Sequence, residues 1–197
     1  RLGTEDVVLS SARDLLAQAR GLAISVAGRA PADPERQAMV AAIEQLRQQL
    51  VSYGNTRVGN EYIFGGAATT VPPFQADGTY VGDDVVHQVE IDRGVLMPTN
   101  HIGDSIFSSA LQGLADLEQE LQTGTQASID AVVSGLQPAE DQMVLAQSET
   151  GTRREDAPAR DGYLEFAEDG PDDGDYDDEG PDSYARVPGG PMARGDD

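Results

Sequence analysis

The 197-residue chain contains no cysteine, no lysine and no tryptophan, and each absence removes a class of function. Without cysteine there is no disulfide framework, no thiolate zinc site and no cysteine nucleophile. Without lysine there is no Schiff base and no phosphate-binding loop of the Walker type. Basic residues are scarce: 13 arginines stand against 35 acids, for a net charge of −22 and an isoelectric point near 4.1. That balance argues against nucleic acid, which is held by clustered Lys and Arg, and against docking on an anionic bilayer. No apolar run approaches the ~18 residues of a membrane span, and no segment reads as a signal peptide. Aromatic residues make up 5% of the chain, which is low for a compact enzyme and ordinary for helical assembly proteins. Beginning at Arg1 rather than Met, the sequence reads as a fragment or trimmed form of a longer protein.

What is present divides the chain by charge. Residues 1–154 hold 20 acids and 10 arginines, a net of −10, whereas 155–197 hold 15 acids and three arginines, a net of −12 in far less length. The second stretch is rich in Gly, Pro and Asp and poor in aliphatics. It cannot bury enough apolar area to offset its ordering entropy, so a disordered acidic tail is expected, with Tyr163, Leu164 and Phe166 its one docking cluster.

Residues 1–56 carry two helical seams. Val8, Ala12, Leu15, Ala19, Leu22 and Val26 recur at alternating steps of four and three, and Met39, Ile43, Leu46, Leu50 and Tyr53 repeat the pattern. Gly28 to Pro31 separates them, and Asp33-Pro34-Glu35 supplies an N-cap, a first-turn proline and a first-turn acid. Over 57–104 the period shortens. Val85, His87, Val89 and Ile91 alternate with Val86, Gln88 and Glu90 as in a half-buried strand, and Gly-Gly, Pro-Pro, Asp-Gly and Arg-Gly pairs mark turns, predicting three to five short strands. Helical spacing returns over 105–154. Asp104 is the expected N-cap, Phe107, Ala110, Leu114, Leu117 and Leu121 form one seam, and Ile129, Val132, Val133, Leu136 and Met143 form another that Pro138 kinks or splits. The fold class expected is mainly α: an antiparallel long-helix bundle interrupted by a small β-rich domain, ending in the tail. The core or assembly candidates are Leu15, Leu22, Ile43, Leu46, Leu50, Phe107, Leu114, Leu117 and Leu121. Spacing alone leaves open whether these seams face one another or another molecule.

Catalytic and metal motifs are thin. His87 reads as a half-buried strand residue. His101 sits in an Asn-His-Ile-Gly turn without an acid–base partner at a recognisable spacing, and no zincin, Walker or nucleophile-elbow motif occurs. Asp173, Asp175 and Asp177 have the first spacings of a calcium loop, but Asp178 and Tyr184 occupy the places of its glycine and closing glutamate. Asp83-Asp84 follows Gly82 in a turn and reads as loop, and Arg194-Gly195-Asp196 is a chance tripeptide in a polar tail. No catalytic, cofactor or metal site is expected.

One constellation does point to a family. Tyr53 to Phe64 (YGNTRVGNEYIF) followed by Gly65-Gly66 resembles the flagellin superfamily, and within it the hook-associated protein 3 family of hook–filament junction proteins. Leu15 to Ala23, Gln45 to Leu50, Pro73-Phe74, Tyr80-Val81-Gly82-Asp83, Asn100 to Phe107 and Glu149 to Arg153 follow in the family's order. The motif residues are Asn55, Thr56, Gly59, Tyr62, Phe64, Gly65, Pro73, Phe74, Tyr80, Gly82, Gly103 and Phe107. The resemblance implies a structural, non-enzymatic subunit outside the cell on the bacterial flagellum, exported by the flagellar type III system, with the export apparatus or a chaperone as a partner. It implies as partners copies of itself, hook-associated protein 1 and flagellin, and no cofactor. It also implies polymerisation helices ahead of residue 1 and after about 155, and the sequence shows no heptad in its tail to supply the second. Filament flagellin is the alternative within the superfamily, and an acidic calcium-responsive binding protein is the alternative from another class.

Overall fold

A computed structural model describes residues 2–156. Helix α1 spans Leu2–Val26 and α2 Pro34–Gly54. Two short hairpins follow, β1 (Arg57–Val58) with β2 (Glu61–Tyr62) and β3 (Gln88–Asp92) with β4 (Val95–Pro98). A π-helical turn over Asp104–Ser108 leads directly into α3 (Ser109–Thr123), and α4 (Gln126–Gly135) and α5 (Gln137–Asp156) complete the described chain. The predicted class, mainly α with a β insertion, is the observed one. Nearly all of the predicted tail, with its docking cluster, its aspartate spacing and its Arg-Gly-Asp, lies outside the described residues.

The helix boundaries follow their local chemistry. The Asp33 carboxylate accepts the Glu35 backbone N–H at 2.9 Å and Pro34 opens α2, so an orphan donor is satisfied and a ring that needs no donor fills the first turn. Helix α2 ends at Gly54 with Asn55 as its C-cap, and Phe74 packs so close to Gly54 that a Cβ there would stand 2.6 Å from the ring. Thr125 caps α4 by accepting the Ser128 backbone N–H, and the Ser128 hydroxyl accepts the Thr125 N–H in return. The helical run breaks at Leu136, between α4 and α5, where Pro138 sits at the second position of the new helix. Asp104 departs from expectation. It lies inside the π-turn rather than capping it, and its carboxylate accepts the Ser108 hydroxyl at 2.6 Å.

The helices pack side by side, α1 against α2 and α5, α2 against α3, and α3 against α4. Cross-helix bonds fix the antiparallel sense of α1 and α5: Arg20 donates to Glu140 at 2.9 Å and, two turns earlier on α1 and two turns later on α5, Arg13 donates to Gln147 at 3.1 Å. The seams face one another. Leu9, Leu16, Ile43, Leu50, Leu114, Leu117, Leu121 and Ile129 are all fully buried in a single core, each contributing about 1.5–3 kcal/mol relative to exposure. At Gly113 the absent side chain lets Leu136 approach, its Cδ2 standing 2.4 Å from where a Cβ would be.

The β segment corrects one reading. Gln88 pairs with Pro98, Val89 with Met97 and Glu90 with Leu96, and a bulge follows before Asp92 meets Val95. Val85 and Val86 ahead of β3, and Val89, Val95 and Leu96 within the hairpin, are all exposed, and the Ile91 side chain lies outside the described residues. His87 is exposed as well and precedes the strand, so it is not half-buried. Periodicity alone does not distinguish an exposed ribbon from a strand lying on a core.

Candidate functional site

The family-motif residues come together where the insertion joins the bundle. Asn55, the residue after α2, donates from Nδ2 to the Phe74 carbonyl at 2.8 Å and accepts the Phe74 N–H on Oδ1 at 2.9 Å. A side-chain amide there plays the part of a paired strand. Thr56 donates its hydroxyl to the Tyr53 carbonyl at 2.7 Å, satisfying one of the last carbonyls of α2. Phe74 is thereby held over Phe107, ring centroids 5.9 Å apart, and Phe64 meets the same Phe107 edge-on at 5.0 Å. Tyr80 closes the cluster, 5.2 Å from Phe74.

Glycines make room for this packing. At Gly103 a Cβ would lie 2.8 Å from both the Phe64 carbonyl and the Phe74 ring, and at Gly65 it would lie 2.7 Å from the Ala68 carbonyl. Pro73 is buried against Gly65. Gly82 stands under the Tyr80 ring. Gly59 and Tyr62 are placed apart from the cluster on the β1–β2 hairpin, where Gly59 takes the left-handed turn (φ 62°) and Arg57 lies over the Tyr62 ring at 5.1 Å.

Electrostatics reinforce the loop. Burial first, then the carboxylates of Asp83, Asp104 and Asp84, push the Tyr80 phenol up to about 12. It therefore stays protonated and donates to the Asp83 carbonyl at 2.7 Å. The Asp83 carboxylate accepts the N–H groups of Ala67 and Val85, and these bonds hold it below the usual carboxylate range. The Asp83-Asp84 pair is thus a loop fastener in its first member.

The core candidates Leu15, Ile43, Leu46, Leu50, Phe107, Leu114, Leu117 and Leu121 lie inside the bundle, and Leu22 sits half-buried at its margin. Two polar centres lack any counterpart in the sequence reading. Arg36 is 1% exposed and donates to four carbonyls: Leu121, Glu120 and Gly124 at the end of α3, and Arg29 in the loop before α2. His101, read as lacking a partner, is buried between Glu5 of α1 and Glu149 of α5. The seams do hold a signal for both. Arg36 lies one heptad before Ile43, and Glu5 lies three residues before Val8, so each continues an apolar stripe with a polar residue. Among the described residues no group of three or more His, Cys, Asp or Glu could hold a metal ion, and no helix is long and apolar enough to cross a membrane.

Fold and motif together define a helical-bundle scaffold whose motif residues pack, cap and fasten loops. The resemblance read from the motif residues is met in known proteins. The chain is 32% identical over 111 residues to "Flagellar hook-associated protein 3" of Escherichia coli K12 and 29% identical over 111 residues to the protein of the same name from Salmonella typhimurium. These matches take in 55% of this chain and 35% of each relative, so the chain spans about a third of their length. Both relatives are structural proteins of the flagellum and not enzymes. No family model matches the chain. In fold it is similar to FlgL of Bacillus cereus (TM-score 0.71, 22% identity, 84% of this chain and 83% of that one). It is similar also to a flagellar hook-associated protein from Vibrio parahaemolyticus (TM-score 0.72, 22% identity, 84% and 80%).

Proposed function

We propose that the chain is part of a structural subunit of the bacterial flagellum, a member of the hook-associated protein 3 family standing at the hook–filament junction. The observation that carries this reading is the agreement of two likenesses, 32% identity over 111 residues in sequence and a TM-score of 0.71 in fold, with proteins of the same kind. The bundle supports a mechanical role. Its seams are satisfied within the chain, so contact with neighbours falls to its outer faces. Val7 and Ile24 on α1 and Val144 and Leu145 on α5 are exposed there. The expected partners are copies of the same protein, hook-associated protein 1 on the hook side and flagellin on the filament side, after export through the flagellar type III apparatus. Sedimentation of the chain alone and mixed with each partner tests this. A stoichiometric complex with hook-associated protein 1 is expected. Co-assembly with flagellin alone would make it a filament subunit, and unchanged sedimentation in both mixtures would overturn the assignment.

A further inference from the structure

The β1–β2 hairpin has two unlike faces. Arg57 pairs with Tyr62 and Val58 with Glu61, and side chains alternate along a strand, so each pair shares a face. Val58 packs against the core, and the opposite face carries Arg57, which is exposed. Its guanidinium lies 5.1 Å from the Tyr62 ring centre, and Nη2 donates to the Asn60 carbonyl at 3.3 Å. Arg20, Arg29, Arg47 and Arg153 meet carboxylates of their own chain, whereas these partners of Arg57 are a ring and a carbonyl. A stacked guanidinium is already ordered for binding a carboxylate, and Arg and Tyr are the side chains enriched where protein contacts are anchored.

The complementary chemistry lies between α1 and α5. A groove of about 290 Å³ there takes Asp14 and Ala17 from one helix and Asp141 and Val144 from the other, all four of them exposed. The groove's Arg13 donates to Gln147 at 3.1 Å and its Glu140 accepts Arg20 at 2.9 Å, so these charges are engaged within the chain. Asp14 has no hydrogen-bond or ion-pair partner among the described residues, and Asp141 accepts the Gln137 amide at 3.2 Å. Two carboxylates beside the apolar Ala17 and Val144 suit a guanidinium and its methylene stem.

We propose that the Arg57–Tyr62 face of one copy of this chain docks in the α1–α5 groove of a second copy, Arg57 entering between Asp14 and Asp141. Knob and groove belong to the same chain, so a second copy supplies both halves of the contact. They lie on different elements, which makes the contact head-to-tail and leaves each copy one patch for the next. The inference rests on the reading that copies of this protein assemble, and it names the surfaces by which they meet. At 0.15 M salt the Debye length is about 8 Å, so repulsion between two chains of net charge −22 is screened while a close ion pair persists.

Sedimentation equilibrium of the intact chain over a range of concentrations, at that salt, tests the contact with Arg57→Asp and Asp141→Arg. Both changes fall at exposed positions, and circular dichroism checks that the fold is kept. The wild type is expected to form oligomers that grow with concentration. Each variant alone should associate at least about tenfold more weakly, because like charges then meet. An equimolar mixture of the two should recover the association, since the acidic hairpin of one meets the basic groove of the other and the remaining pair is native. A wild type that stays monomeric, or a mixture no better than its components, overturns the contact. Oligomers indifferent to both changes overturn it too, and leave the flagellar reading to its own test with hook-associated protein 1.

Discussion

Replacing Arg36 by methionine should lower stability by about 3 kcal/mol while leaving the fold in place. The side chain donates at 2.6–2.8 Å to four carbonyls, three of them closing α3. Hydrogen bonds from a charged donor are worth ~1.5–3 kcal/mol each in isolation, but they do not add, and removing the guanidinium also removes its desolvation cost. The Arg29, Glu120 and Gly124 carbonyls are at partly buried sites, where water can take over. The bond to the Leu121 carbonyl is buried, and stranding that group costs ~1–3 kcal/mol. Loss of a cation from a partly buried helix C-terminus adds up to ~2 kcal/mol. Methionine fills most of the volume, so the cavity contribution is small. For a domain of this size ~3 kcal/mol corresponds to a fall of about 6–12 °C in melting temperature. Thermal and urea unfolding by circular dichroism measure it, with Arg36→Lys falling between because a single ammonium cannot reproduce the fork. A methionine variant within about 1 kcal/mol of wild type would refute the view that Arg36 caps α3 and fastens the α1–α2 loop to it.

Asp substitution at Leu114 or Leu46, 0% and 8% exposed, buries an unpaired charge and should abolish cooperative melting; unchanged melts in both would show that these seams are not core. Gly103→Ala should cost about 1–3 kcal/mol because its methyl meets Phe64 and Phe74 at 2.8 Å. Gly21→Ala, with nothing within 4 Å, should stabilise α1 by ~0.5–1 kcal/mol, and urea midpoints of the pair read both signs. Asp83 contributes stability above its unfolded value of about 3.9, and this is lost as pH falls through its lower folded value. Asp83→Asn should therefore flatten the acid limb of the melting curve, and an unaltered limb would mean that the carboxylate fastens nothing.

The helices were legible because their signals are local: Asp33-Pro34 opens α2, Gly54-Asn55 closes it, and Pro138 marks the split between α4 and α5. The motif residues were legible as a set, but their purpose was not. Nothing in the order of Asn55, Phe74 and Phe107 says that an amide pairs with a distant backbone to seat one ring on another, since that contact forms only once the insertion folds back. Arg36 and the Glu5–His101–Glu149 group escaped notice for a related reason. A seam is recognised by its apolar members, so a polar residue one step beyond is read as its end, although geometry buries it equally. The β3–β4 alternation misled in the opposite direction, because period two reports a pleat and not what lies against it.

Immunogold labelling of flagella from the source bacterium, with antibody raised against the described bundle, tests the central claim most directly. The account predicts label confined to a band between hook and filament. Label along the whole filament, or none on the flagellum, would contradict it.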